Sequence, residues 1–125
     1  MSRRRLVARN LSRGRPLAER LEDGSSFWAR FMGLMGRSHL APGEGLWLPS
    51  AGSIHMLFMR FSIDAVFVGG ISSGRRRVLA VRRALPPWRG VVWFVAGAHG
   101  VLELPAGTID RSGTAVGDEV LIEPG

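Results

Sequence analysis

The chain has 125 residues, with 17 basic side chains against 10 acidic ones, a formal net charge of +7 and 46% hydrophobic residues, a size and composition that predict one folded domain over residues 1–125. It contains no Cys, Lys or Tyr, which excludes disulfides, thiolate nucleophiles, Cys-ligated metal centres, Schiff-base lysines and the Walker lysine. The positive charge is all arginine, and such a charge bears on solubility and loose attraction to anions rather than on fold.

Residues 1–14 form a basic segment. Arg3, Arg4, Arg5, Arg9, Arg13, Arg15 and Arg20 crowd the first twenty positions, while Asp110, Asp118, Glu119 and Glu123 make the last sixteen acidic. Such an asymmetry is satisfied internally if the two ends lie side by side. Residues 3–9 and 17–22 read as short strands joined by the turn composition Asn10-Leu11-Ser12-Arg13-Gly14. Asp23-Gly24-Ser25-Ser26 opens a helix near residues 25–36, in which Phe27, Trp28, Phe31, Met32 and Met35 fall on one apolar face and Gly36 supplies the stop. Such a stripe usually packs a core.

After Pro42-Gly43-Glu44-Gly45 the pattern changes to strands. Leu46-Trp47-Leu48 is wholly apolar and suits a buried strand. The long apolar segment 54–68 is interrupted by Arg60-Phe61-Ser62, and Ile63–Val68 is a strand predicted to end at Gly69-Gly70. Residues 71–74 make a turn, with 77–85 returning as the hairpin partner. Pro86-Pro87-Trp88-Arg89-Gly90 is a rigid corner. Residues 91–96 and 101–104 are two further strands, Pro105-Ala106-Gly107 begins a short helix or turn, and residues 119–122 form a last strand. Seven or eight short strands with one main helix predict a β-rich α+β domain, a curled sheet or partly closed small β-barrel.

Three stretches read together carry a family likeness: Ser53-Ile54-His55-Met56-Leu57-Phe58-Met59-Arg60-Phe61-Ser62-Ile63-Asp64-Ala65-Val66-Phe67, Pro87-Trp88-Arg89, and Val101-Leu102-Glu103-Leu104-Pro105-Ala106-Gly107-Thr108. The helix ending Gly33-Leu34-Met35-Gly36-Arg37 and the late Val116-Gly117-Asp118 stand in the matching order around them. Over about residues 15–122 the chain resembles the bacterial and archaeal domain of unknown function 192 family, departing from it at Ser62, where relatives usually have Pro. The resemblance implies a small β-rich fold with one helix. It implies no activity, and it carries over no catalytic residue.

Polar groups stranded in apolar sequence are the candidate site. Asp64 lies between Ile63 and Ala65, and Glu103 between Leu102 and Leu104. A buried carboxylate needs a donor, and Arg60 and Arg89, set in apolar or aromatic surroundings, are natural ones. Together with His55 these form a predicted ligand-binding set: His55, Arg60, Asp64, Arg89 and Glu103. Arginine suits a carboxylate or phosphate ligand, and His or Glu can move a proton. The competing reading makes the same groups ion pairs of the scaffold.

Other signals are weaker. Gly70-Ile71-Ser72-Ser73-Gly74 matches the G-x-S-x-G string of a nucleophile elbow, but a strand rather than a helix follows, so a hairpin turn is expected. His39, His55 and His99 are far apart, with no metal-ligand spacing, and neither a metal nor a cofactor is expected. Arg75, Arg76, Arg77, Arg82 and Arg83 decorate one hairpin without a nucleic-acid motif, which predicts only weak, salt-sensitive, non-specific binding. Ser2-Arg3-Arg4 lacks the apolar stretch of a signal peptide, and no run reaches transmembrane length, so a soluble, cytoplasmic protein is expected. The leading expectation is a non-catalytic binding or accessory module for a small anionic ligand or a peptide. The alternatives are a small acid–base enzyme using His55 with Asp64 or Glu103, and an arginine-driven nucleic-acid binder.

Overall fold

A computed structural model describes residues 5–24, 39–49, 54–55, 61–86, 91–92 and 95–125. The strands are β1 (Arg5–Asn10), β2 (Arg15–Asp23), β3 (Glu44–Pro49), β4 (Ile54–His55), β5 (Ile63–Ser72), β6 (Arg75–Leu85), β7 (Val91–Val92), β8 (Gly100–Pro105) and β9 (Glu119–Pro124), with a short helix α1 (Thr108–Ser112) between β8 and β9. The helix predicted at 25–36 lies outside the described residues.

Seven strands close into a barrel in the order β1-β2-β3-β8-β5-β6-β9, and β9 pairs with β1 to seal it; β4 and β7 pair separately. Every barrel pairing is antiparallel except β2–β3. A parallel pair needs a long crossover, and residues 24–43 supply it. Full closure goes beyond the partly closed barrel expected, and it removes the free sheet edges that an open curled sheet would expose.

Burial explains the strand chemistry. In β1 the alternation is period two, with Leu6, Ala8 and Asn10 buried and Arg5 and Arg9 exposed. In β8 every residue is buried, as are Ile63–Gly69 of β5 and Gly45–Leu48 of β3, so these strands are covered on both faces and lose the alternation. Two clusters result. The inner one joins Leu21, Trp47, Val66, Val78, Leu102, Leu104 and Val120 inside the barrel, and Ile109 of α1 enters it. The outer one joins Leu46, Leu48, Ile63, Ala65, Phe67, Ala80 and Val101, with Phe61, Val95 and Ala98 packed against it.

Several local expectations change. β5 runs through Gly69-Gly70 to Ser72, and the reversal is the two-residue loop Ser73-Gly74, both with positive φ (50° and 81°). That is the geometry of a tight hairpin, so the G-x-S-x-G string is a strand end and its turn. β7 spans only Val91–Val92 among the described residues, and Ala96-Gly97 is a turn. Gly100 has no room for a side chain, because a Cβ there would lie 2.1 Å from the Trp47 ring.

The two ends meet as their charges anticipate. Asn10, fully buried, donates from Nδ2 to Thr114 Oγ1 and to Asp118 Oδ2, each at 3.0 Å. Arg13 Nε donates to Asp118 Oδ2 at 2.9 Å, and the Ala115 N–H donates to the same oxygen at 3.0 Å.

Candidate functional site

Of the predicted site residues, Asp64 and Glu103 are the two whose side chains the structure describes, and they stand on opposite faces of the sheet. His55 is in β4, where its backbone pairs with Val91 of β7; Arg60 and Arg89 lie outside the described residues. Asp64 and Glu103 stand on neighbouring strands. The register sets Asp64 opposite Leu104 and Ala65 opposite Glu103. Cross-strand partners share a face and successive residues alternate. Asp64 therefore points with Leu104 toward the barrel interior, and Glu103 points with Ala65 and Val101 to the outer layer.

Asp64 is 1% exposed and fully engaged. Its Oδ2 accepts the Gly107 N–H at 3.1 Å and the Ile109 N–H at 2.9 Å, and its Oδ1 accepts the Ala84 N–H at 2.8 Å. The first two donors belong to the entry of α1, whose own cap residue, Gly107 (φ 97°), has no side chain to offer. Asp64 supplies across the barrel end what a Ser or Asp at the cap usually supplies locally. The third donor sits at Ala84, a non-glycine residue at φ 48°. Asp64 thus holds the α1 entry and the end of β6 to β5 without an arginine.

Glu103 is 6% exposed, yet among the described residues no hydrogen bond or ion pair reaches its carboxyl. Its register neighbours are Leu46 on β3 and Ala65 on β5. Burial, with no compensating donor, pushes its pKa up to about 8. At neutral pH the group is therefore mostly a protonated acid, able to donate one O–H and accept at the other oxygen. The arginines expected to pair with these carboxylates, Arg60 and Arg89, lie outside the described residues.

Most of the hairpin arginines have acceptors. Arg75 pairs with Glu119, Arg77 Nη1 donates to the Gly117 carbonyl at 3.0 Å, and Arg83 Nε donates to Asp110 at 2.7 Å. Arg76 lies over the Trp47 ring, 5.1 Å from its centroid, a cation–π contact. No group of three or more His, Asp or Glu residues suited to a metal ion occurs among the described residues, and no helix there is long and apolar enough to cross a membrane.

Sequence reasoning missed the Asn10–Thr114–Asp118 cluster. Burial pushes the Asp118 pKa up, but hydrogen bonds from Arg13, Asn10 and the Ala115 N–H outweigh it and hold the pKa below the ordinary carboxylate range. Its signal was the opposite charge of two distant segments, and Asn10 itself looked like an ordinary turn residue.

Comparison with known proteins follows this geometry. The model of the family DUF192, described as "Uncharacterized ACR", matches residues 9–122. A UPF0127 protein of Thermococcus sibiricus is 35% identical over 115 residues, covering 89% of this chain and 71% of the relative. A crystal structure of a protein of unknown function from Novosphingobium aromaticivorans is similar at a TM-score of 0.75 with 26% identity, over 93% of this chain and 82% of the other. A crystal structure from Sinorhizobium meliloti, described as a candidate transcription regulator, is similar at a TM-score of 0.73 with 24% identity, over 95% and 92% of the two chains. That last likeness shows the fold alone.

Proposed function

The chain belongs to the DUF192 family, an uncharacterised one, and on that footing we propose that it is a non-catalytic binding module for a small anionic ligand or a peptide, with Glu103 in the floor of its site. The observation that carries this reading is the Glu103 carboxyl on the outer face of β8, 6% exposed and without a hydrogen-bond or ion-pair partner among the described residues. A buried polar group with no partner costs about 1–3 kcal/mol, and a ligand oxygen accepting the Glu103 O–H offsets that cost. Phe61, the residue after Arg60, packs on the outer cluster, as does Val95. His55 pairs with Val91, two positions beyond Arg89 in sequence. Arg60, Arg89 and His55 are proposed as further contacts of the same ligand, with Asp64 shaping the scaffold from the opposite face.

The acid–base alternative is weakened because Asp64 is committed to three N–H donors and faces away from Glu103. The nucleic-acid alternative is weakened because Arg75, Arg77 and Arg83 already have protein acceptors.

The test is a thermal-shift and calorimetric panel of acetate, succinate, inorganic phosphate and short acidic peptides. It would use wild type, Glu103→Leu, Arg60→Gln and Arg89→Gln. A ligand of this class raises the melting temperature of wild type through its binding free energy; Glu103→Leu reduces the rise most, and the arginine variants reduce it less. Equal responses in wild type and Glu103→Leu would overturn the reading.

A further inference from the structure

A cavity of about 250 Å³ opens between β2 and α1, and its lining includes Arg15, Leu17, Glu19, Thr108, Arg111 and Ser112. None of these residues belongs to the outer cluster on the Glu103 face. We propose that this groove is a second binding site, for a small organic molecule bearing a carboxylate or phosphate, with Arg15 and Arg111 as its anion contacts.

Four observations converge on it. First, the charge of the lining is unbalanced. Its lining residues include two arginines and one acid, Glu19, and neither Arg15 nor Arg111 has an ion-pair partner among the described residues. Paired guanidinium groups suit planar carboxylates and phosphates because their donors are fixed in a fork.

Second, Arg111 is held in position rather than loose. Its Nη2 donates to Thr108 Oγ1 at 3.4 Å, and Thr108 in turn donates to the Pro105 carbonyl at 2.7 Å. The guanidinium lies back over Gly107, where a Cβ would come within 2.5 Å of Nη1. Gly107 thus has two reasons to be glycine, its φ of 97° and the room it leaves for Arg111. Because Asp64 fastens the start of α1, the base of Arg111 is fixed before any ligand arrives, which lowers the ordering cost of binding.

Third, the sheet has a gap here. β2 pairs with β1 from Arg15 onward but with β3 only from Arg20. Among the described residues, the edge of β2 over residues 15–18 therefore has no partner strand on the α1 side. The β1–β2 ladder is irregular at the same place, with Ala8 opposite Ala18 and Arg9 opposite Pro16. Such bulges are over-represented next to functional sites.

Fourth, the occupant is narrowed by Pro16. Proline cannot donate a main-chain hydrogen bond, so the open edge is poorly suited to an added peptide strand. The volume lies just under the ~300–1,000 Å³ of pockets for drug-sized ligands. A compact molecule recognised by side chains fits both facts.

The experiment follows backbone amide chemical shifts of the full chain while inorganic phosphate and succinate are titrated separately, with sodium chloride matched for ionic strength. The variants are Arg15→Gln, Arg111→Gln and Glu103→Leu. We expect saturable shifts centred on residues 15–19 and 107–112 for at least one anion, with affinity about tenfold weaker in each arginine variant and unchanged in Glu103→Leu. A response to phosphate alone assigns a phosphorylated ligand, a response to succinate alone an organic acid, and a response to both the shared anion chemistry. The proposal is overturned if neither anion saturates, or if both arginine variants bind within about threefold of wild type. Loss of binding in Glu103→Leu would overturn it too, by moving the anion to the outer face, whereas failure of the outer-face site leaves these titrations unaffected.

Discussion

Asp64 and Glu103 are both buried acids, one strand apart in the same sheet, and they are in opposite circumstances. Asp64 faces inward and accepts three main-chain N–H groups. Glu103 faces outward and, among the described residues, receives nothing. Burial alone therefore does not say what a carboxylate is for. The donors around it decide, and here a one-residue shift along antiparallel strands separates a structural clamp from a group held ready for a partner.

The sharpest way to break this comparison is to delete the clamp. Asp64→Ala orphans three N–H groups at about 1–3 kcal/mol each, so we expect a stability loss of about 5 kcal/mol in urea denaturation. Asp64→Asn should lose less, because an amide oxygen still accepts. A loss below about 1 kcal/mol for Asp64→Ala would mean that α1 is held by something else.

The pH dependence of stability probes the other carboxylate. A folded pKa raised to about 8 means that the native state keeps a proton the unfolded chain releases near its ordinary value of 4.5. Below that value the two states bind alike and the Glu103 contribution is fully present. Between it and about 8 the unfolded chain binds fewer protons, so stability falls as pH rises, by at most about 4–5 kcal/mol, and then levels off. Glu103→Gln should flatten that window. Asp118 acts at the opposite end with the opposite sign: its lowered pKa gives stability present above the ordinary carboxylate pKa and lost as pH falls through the folded one. A wild-type curve that stays flat from pH 5 to 8 would show that Glu103 has found a donor.

The smallest expected effect belongs to the surface. Arg83 and Asp110 form an ion pair with side chains 54% and 70% exposed. Arg83→Ala should change stability by less than about 0.5 kcal/mol, and high salt should erase even that. A larger change would mean that Arg83 supports β6 by packing.

Much of the barrel was legible because its signals are local. The turn between β1 and β2, the wholly apolar Leu46-Trp47-Leu48 and the turn residues before β6 all read correctly from composition. Gly69-Gly70 read as a strand end because glycine is poor in strands. In the fold, Gly69 instead admits the Leu79 side chain and the Gly97 carbonyl. Closure of the barrel depends on pairing β1 with β9, which no local pattern announces, although the opposed charges of the two ends hinted at it. Within the candidate site, the apolar settings of Asp64 and Glu103 were visible, and both proved buried. The donors to Asp64 were not visible, since main-chain N–H groups leave no mark in a sequence and arginines do. The faces of the two acids required the β5–β8 register, a long-range fact.

The seam between β1 and β9 also governs the order in which the molecule can form. Five register pairs join residues 6–10 to residues 120–124, and Asn10 and Arg13 must wait for Thr114 and Asp118. On a ribosome, β1 leaves the exit tunnel lacking one of its two neighbours, and Asn10 lacks its acceptors, until residues 114–124 have been made. Such distant contacts slow folding and lengthen the interval in which a bare strand edge faces other chains. Growth temperature and chaperone supply should therefore affect the yield of this barrel more through its nascent form than through the finished one.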